Sequence, residues 1–376
     1  MLFVNALLFC DDGVFRAGGL RTEGEKIAET GLLSPLPGEE VIDCGGKKLL
    51  PGFVDIHTHG RCGGDFSGLT GEDYGRMARS YAAAGITSLL ATTMTLPLQE
   101  LEQAYGALGE LLGQRPQGGS RVLGVNMEGP FLSEAKRGAH DRRYLLPPDM
   151  ALLVRLNNLC GGRIKLCDLA PELPGAMAFI PQAAGLCRVS VAHTNGDYDT
   201  VMAAFAAGAS HVTHFFNALS PLGHRAPGAV GAAFDSTACV ELICDGVHVH
   251  PALLRMVFRL LGWERVCLIS DSMSAAGLGD GSYTLGGQAV TVAGGKALLA
   301  DGTIAGSVTD VAAAVRFCVN CGIPQGDAIR SATTVPARQA GASHLVGSLA
   351  PGHLADLLIV RDDLVVEKVF VGGQAV

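Results

Sequence analysis

Leu49-Leu50-Pro51-Gly52-Phe53-Val54-Asp55-Ile56-His57-Thr58-His59-Gly60 is an apolar run that ends in two histidines one residue apart. Side chains on a strand alternate faces, so His57 and His59 point the same way. Where the strand ends, both imidazoles can reach one metal ion. An imidazole pair buried without a partner is costly, which argues for a ligand between them. Taken alone, His-x-His fits either a metal site or two ordinary surface or capped histidines, and the rest of the chain has to decide.

Seven further strand-like runs follow Phe53–His57: Ile86–Thr92, Val122–Glu128, Ile164–Ala170, Val189–His193, His211–His214, Val240–His248 and Val266–Asp271. Their mean spacing is about 31 residues, the size of a βα unit. Segments of helical period lie between them. Leu101, Ala104, Leu108, Leu111 and Leu112 share one predicted face, and Leu253, Met256, Val257, Leu260 and Leu261 another. Strand and helix alternating in this number predict an α/β fold, a (β/α)8 TIM-like barrel. The flanks read as short strands separated by turns. Residues 1–50 and 345–376, each too small to fold alone, are expected to pair into one discontinuous β-sandwich domain beside a barrel spanning 51–344. Residues 282–304 are Gly-rich with alternating apolar positions and predict β-hairpins inserted after the eighth strand.

Bulk composition fits this architecture. The 376 residues are 48% hydrophobic and 17% charged, with 51 glycines to serve many short connections. A net charge of −8 without a basic stripe argues against a nucleic-acid surface. It leaves an anionic small substrate open, because a few local donors outweigh a weak global charge. Most of the eleven cysteines sit in apolar runs (Cys167, Cys244, Cys267) or on an amphipathic helix (Cys318, Cys321). There a thiol behaves as a small hydrophobe, and Cys318-Val-Asn-Cys321 has no second ligand pair to make a zinc site. Cys62, three residues past His59, is placed to line a site without acting in it. A reducing cytoplasm is the expected compartment. Met1–Cys10 lacks basic residues and runs into a turn at Asp11-Asp12-Gly13, so it reads as a strand rather than a signal peptide. No run is long enough to span a membrane.

Barrel enzymes carry their chemistry at the C-terminal ends of the strands. The metal-binding residue types fall at those ends: His57 and His59 on the first strand, Glu128 on the third, His193 on the fifth, His214 on the sixth and Asp271 on the eighth. Five strands converging on one rim with His, Glu and Asp favour a metal centre over a merely polar rim. His211 and His214 differ by three positions and so face opposite sides of a regular strand. His214, at the strand end, is the expected ligand; His211 is expected on a helix-packing or surface face.

The full chain resembles the amidohydrolase superfamily and, within it, the N-acetylglucosamine-6-phosphate deacetylase family. The resemblance is carried by Pro51–Gly60, Glu128-Gly129-Pro130-Phe131, Ala192-His193-Thr194-Asn195, Thr213-His214-Phe215-Phe216-Asn217-Ala218 and Asp245-Gly246-Val247-His248. It continues through Ser270-Asp271, Ala305-Gly306-Ser307 and the tail Gly347–Asp356. The first and last elements are widespread in the superfamily, whereas Glu-Gly-Pro and His-x-x-Asn-Ala are particular to this deacetylase family. Dihydroorotase-like and hydantoinase-like members bridge two metals with a carboxylated Lys at the end of strand four. Here Lys165 sits near the wrong end of that strand, and Glu128 is the available bridging carboxylate.

The resemblance implies a metal-dependent hydrolase that cleaves the acetamide of N-acetyl-D-glucosamine 6-phosphate. Glu128, His193 and His214 are implied to hold the main divalent ion, zinc first among the candidates and Fe2+ another, with His57, His59 and Asp271 completing a second site. Some members carry a Gln/Asn pair in place of His-x-His and hold one metal, so one or two ions per subunit remain open. Asp271 is implied to be the general acid–base and His248 the donor to the acetyl oxygen. Ala139, His140, Asn217, Ala218, Arg225, Ala305, Gly306 and Ser307 are implied to contact substrate. Arg225, in the loop Pro221–Gly228, suits a phosphate, and in related enzymes that loop reaches a partner subunit, which implies a homodimer. N-acetylgalactosamine 6-phosphate or another N-acyl amino sugar is the alternative substrate. A non-catalytic scaffold is disfavoured because every expected ligand is present.

Overall fold

The computed structural model describes residues 1–376. Eight parallel strands pair in chain order: β1 (Phe53–Thr58), β2 (Ile86–Thr93), β3 (Arg121–Met127), β4 (Ile164–Leu169), β5 (Arg188–Val191), β6 (His211–Val212), β7 (Cys239–Ile243) and β8 (Val266–Ile269). A helix follows each strand: α1 (Gly71–Ala83), α2 (Leu98–Leu111), α3 (Met150–Leu159), α4 (Ala176–Ala183), α5 (Tyr198–Ala207), α6 (Gly228–Asp235), α7 (Pro251–Leu261) and α8 (Val311–Asn320). Thr70, Asp149, Asp197 and Asp310 start four of these helices by accepting from backbone N–H groups of the first turn. The seam between β1 and β8 is stitched at the strand ends. Asp271 N donates to His57 O at 2.9 Å and His59 N to Ser272 O at 2.8 Å, while Ser270 Oγ donates to Asp55 Oδ2 at 2.5 Å. The fold is a (β/α)8 barrel, as the strand–helix alternation predicts.

Two helical faces differ in how well periodicity locates them. On α2 the predicted Leu101, Ala104 and Leu108 are buried, joined by Tyr105. On α7 the buried stripe is Leu254, Val257, Phe258 and Leu261, with Leu253 and Leu260 exposed. The predicted face is therefore rotated by one residue. An all-apolar run such as Leu253-Leu254 leaves periodicity two solutions, and packing against the sheet selects one.

Barrel-facing apolar side chains (Val54, Ile56, Leu90, Leu166, Cys267, Ile269) meet Val335, Ala337 and Ala340 of the segment around the helix Thr334–Gln339. That segment plugs the N-terminal end of the barrel. The strands of the two chain ends form one mixed eight-stranded sheet, in which Lys48–Pro51 runs antiparallel to Leu357–Val360 and Leu50 lies opposite Leu358. Its own core is built from residues such as Phe3, Leu8, Leu20, Leu357 and Phe370. After β8 the strands Gly281–Leu285, Gln288–Ala293 and Lys296–Leu298 form a three-stranded antiparallel sheet. Its apolar side packs with Met94, Ala139 and Met273 over the C-terminal end of the barrel.

Candidate metal centre and active site

The strand ends are not regular, and the irregularities aim the side chains. On β1 the register with β2 shifts between Asp55 and Thr58. Val54 and Ile56 face the barrel interior, and Thr58 faces outward, its hydroxyl 2.7 Å from Tyr81 of α1. The bulge between them therefore returns His57 and His59 to the inner side. His193, His214 and Asp271 all have positive φ, +42°, +28° and +49°. Each backbone leaves its strand there in a conformation that non-glycine residues seldom adopt. Gly138, at φ +55°, lies so close over His193 that a Cβ there would sit 3.2 Å from Cε1 of the ring.

These turns gather the predicted ligands around one carboxylate. Glu128 Oε1 lies 3.1 Å from His193 Nε2, 3.1 Å from His214 Nε2 and 3.6 Å from His57 Nε2. Its Oε2 lies 3.1 Å from His59 Nε2 and 3.4 Å from His140 Nε2. Asp271 Oδ1 approaches His59 and His57 at 3.3 and 3.5 Å. All of these side chains are buried.

Proton accounting decides what such a cluster fits. His193 Nδ1 meets Lys136 O at 2.8 Å and His214 Nδ1 meets Asn217 O at 3.2 Å. A carbonyl only accepts, so both protons are on Nδ1 and both Nε2 lone pairs face inward, 3.0 Å apart. His57 likewise donates from Nδ1 to Glu241 Oε2 at 2.9 Å, which leaves its buried Nε2 without a hydrogen-bond partner. Lone pairs of three imidazoles and a carboxylate converging in one buried volume fit divalent cations in a neutral-imidazole and carboxylate shell. His57, His59 and Glu128 form one such group. The other is Glu128, His140 and His193, and His214 adjoins it with Nε2 3.1 Å from Glu128 Oε1 and 3.0 Å from His193 Nε2. His140 differs in kind, because its Nδ1 accepts from Thr95 N at 3.3 Å. Its Nε2 therefore carries the proton, making it a donor toward Glu128 or a substrate, and His214 is the better ligand.

The electrostatics divide the imidazoles: His193 is kept neutral, while Glu241, Glu128 and Asp271 draw positive charge onto His57 and His59 against burial, marking where the carboxylates call for a cation. Burial pushes His193 down to about 4, keeping its lone pair free. Burial opposes charge on His59, yet hydrogen bonds to Asp271 and Glu128 hold it at about 9. The same burial would raise Glu128, but the charges of His57 and His140 and the hydrogen bond from His140 hold it well below the usual carboxylate range. Asp271 is held low against burial by the hydrogen bond to His59 and the charge of His57, so it is ionised.

A cavity of about 490 Å³ opens above this cluster. Its walls include His59, Glu128, His193, His214, Asp271 and His248, and also the predicted Ala139, His140, Asn217, Ala218 and Gly306. His248 Nδ1 bonds Asp245 Oδ2 at 2.7 Å, which leaves Nε2 for a ligand. That bond also raises the imidazole pKa against the effect of burial. Three predicted contacts lie elsewhere. Ala305 is packed in the core of the inserted hairpins. Ser307 sits behind the wall, its N–H donating to Asp271 O at 2.7 Å and its hydroxyl to Ser270 O at 2.5 Å. Both hold the end of β8 in place from behind. Arg225 is exposed outside the cavity, 2.6 Å from His224.

His211 is a correction. It is fully buried, with Nε2 3.1 Å from Glu241 Oε1. Strand parity fails because β6 is only His211–Val212 and the chain turns before His214. Both histidines therefore face the barrel. Two carboxylates beyond the expected set touch site imidazoles, Glu241 at His57 and Asp245 at His248. A lone carboxylate inside Val240-Glu241-Leu242-Ile243 has to be buried with a partner, which was the available signal. Glu241 is held down to about 2, His57 and His211 outweighing burial.

The sequence pattern of the amidohydrolase family matches residues 185–376. The N-acetylglucosamine-6-phosphate deacetylase of Bacillus subtilis is 38% identical over 322 residues, covering 84% of this chain and 81% of that protein. The N-acetylgalactosamine-6-phosphate deacetylase of Escherichia coli O157:H7 is 35% identical over 345 residues, 91% of each. A solved structure of the Mycobacterium smegmatis N-acetyl-D-glucosamine-6-phosphate deacetylase, in complex with N-acetyl-D-glucosamine-6-phosphate, superposes with a TM-score of 0.92 at 34% identity. It covers 100% of this chain and 98% of its own. With these likenesses running the length of a barrel whose strand ends gather four imidazoles and two carboxylates, the chain belongs to the amidohydrolase family, in the group of the N-acetylglucosamine-6-phosphate deacetylases.

Proposed function

We propose that this protein hydrolyses the acetamide of N-acetyl-D-glucosamine 6-phosphate to D-glucosamine 6-phosphate and acetate, in amino-sugar catabolism. The observation that carries the reading is the buried Glu128 carboxylate ringed by imidazole nitrogens at the floor of a cavity walled by Asp271 and His248. Glu128, His193 and His214 would hold one divalent ion, and His57, His59 and Asp271, with Glu128, would complete a second site. Zinc suits the imidazole and carboxylate donors, with Fe2+ an alternative. When bound, such an ion acidifies water and polarises an amide carbonyl.

The chain's own residues do the rest. Asp271, ionised, takes a proton from the attacking water and returns it to the departing nitrogen, because an amine leaves only when protonated. His248, whose Nδ1–H is held by the Asp245 carboxylate that favours its imidazolium form, donates from Nε2 in that charged form to the acetyl oxygen as negative charge develops there. His140, with its proton on Nε2, and the turn Asn217-Ala218 orient the sugar. Arg225 recognises the 6-phosphate of a second subunit's substrate. Its exposure outside its own cavity, on a loop with Leu222 51% exposed, supports a homodimer in which that loop crosses over. The shared sheet and separate small core of residues 1–50 and 345–376 support reading them as one β-sandwich domain beside a barrel at 51–344. Eleven free thiols support a reducing, cytoplasmic setting. No helix is long and apolar enough to cross a membrane.

N-acetylgalactosamine 6-phosphate is the second reading, favoured by the relative of that specificity at 35% identity. Acetate release from both phosphorylated hexosamines and from their unphosphorylated forms tests the two. Turnover of the glucosamine derivative alone supports the first reading, and a preference for the galactosamine derivative replaces it. No acetate from any of the four sinks both.

A further inference from the structure

Three inward-facing imidazoles of the centre, His57, His193 and His214, have Nδ1 held by a partner, whereas Nδ1 of His59 has none, and the three partners differ. His193 and His214 donate to neutral backbone carbonyls. His57 donates to a carboxylate, Glu241 Oε2, at 2.9 Å. Glu241 is fully buried on β7, separated from β1 around the barrel by β8 alone. The same Oε2 accepts from His214 N at 3.1 Å, and Oε1 pairs with His211 Nε2 at 3.1 Å. One carboxylate thus touches a ligand side chain of one half of the centre and the backbone of a ligand from the other.

A carboxylate behind a ligating imidazole fixes the tautomer and the ring plane, and raises the basicity of the nitrogen that faces the metal. A backbone carbonyl supplies the first two effects but little of the third. His57 is therefore a strengthened ligand, and the strengthening comes from a residue that touches neither metal nor substrate. We infer that Glu241 is the positioning residue that makes His57 a metal ligand, so that the His57–His59 half of the centre fills only while this carboxylate holds Nδ1. The inference rests on the metal centre proposed above. It assigns His211 the supporting part of holding the second oxygen of Glu241.

The test is metal binding by the chelator-stripped protein, read without substrate as zinc competed against a chromophoric chelator. Glu241→Gln keeps the shape and removes the charge. In the otherwise wild-type chain it should weaken one zinc equivalent by roughly ten- to a hundredfold and leave the other unchanged. In a His57→Asn background the same substitution should have no further effect, because its target is gone. Weakening of equal size in both backgrounds makes Glu241 a general structural carboxylate and overturns the assignment. If the wild type binds zinc and Glu241→Gln binds it equally well, Glu241 alone is wrong. If the wild type binds no divalent ion, the metal-centre reading falls with it. Should Glu241→Gln fail to fold, the imidazole 15N spectrum of the wild type decides, with His57 assigned by its loss in His57→Asn. A proton on Nδ1 with zinc bound supports the assignment, and a proton on Nε2 overturns it.

Discussion

His193 and His214 meet Nε2 to Nε2 at 3.0 Å, each with its proton committed to a backbone carbonyl on the far side of the ring. Two lone pairs at that distance repel unless something positive lies between them and Glu128. Glu128 is the one carboxylate common to both candidate ion positions, whereas His57 serves one of them. Elemental analysis of purified Glu128→Ala should therefore find little or no metal, while His57→Ala retains about half of what the wild type holds. Full occupancy in Glu128→Ala would remove it from the ligand set.

Asp271→Asn keeps the side-chain shape and its place at the end of β8 but cannot accept the water proton. Turnover should fall on the order of a hundredfold or more, typical of losing a positioned acid–base group. Circular dichroism and melting should stay close to wild type. Near wild-type turnover would remove Asp271 from the proposed role.

Arg225→Ala separates phosphate recognition from loop structure. Losing a charge-assisted contact should cost roughly ten- to a hundredfold in kcat/KM on a phosphorylated N-acetylhexosamine. An unphosphorylated N-acetylhexosamine, which lacks the contact, should be little affected. Measuring both substrates on both proteins isolates the phosphate term. Equal losses on the two substrates make the arginine structural.

Asp356, far from the barrel mouth, offers a test of pH dependence that no metal complicates. Burial raises its carboxyl above the usual range, only partly offset by Gly372 N donating to Oδ1 at 2.7 Å, and its Oδ2 has no partner. A carboxyl with a raised folded pKa binds its proton more tightly in the native state. Its contribution is complete below the unfolded value, near pH 4, and is lost as pH rises through the folded value. Asp356→Asn does not titrate, so its melting temperature should gain on wild type as pH rises from about 4 towards neutrality. A difference independent of pH would trace the effect to packing instead.

What could be read from the residues alone follows from which signals are local. Eight apolar runs at regular spacing and His, Glu or Asp at their ends foretold the barrel and the cluster, because strand burial and strand-end chemistry are written residue by residue. The errors lie where tertiary structure overrides a period. Parity puts His211 on the wrong face because the strand it assumes is only two residues long. The buried face of α7 was rotated because Leu253-Leu254 satisfies two registers. Glu241 is hidden inside an apolar run, since its partners, His57 and His211, come from other strands of the chain. Ser307 lies in a stretch that the resemblance marks as contacting substrate, but its hydrogen bonds go to the chain behind Asp271.

The segment around Thr334–Gln339 stoppers the barrel opposite the cavity, so traffic has a single doorway. In the proposed reaction the acetyl group lies deepest, against Glu128, and the phosphate nearest the mouth. The amino sugar then stands between acetate and solvent and has to depart first. Ordered release of this kind makes acetate a competitive inhibitor against substrate and the amino-sugar phosphate a noncompetitive one. Product-inhibition kinetics showing the reverse pattern would mean that acetate escapes by another route.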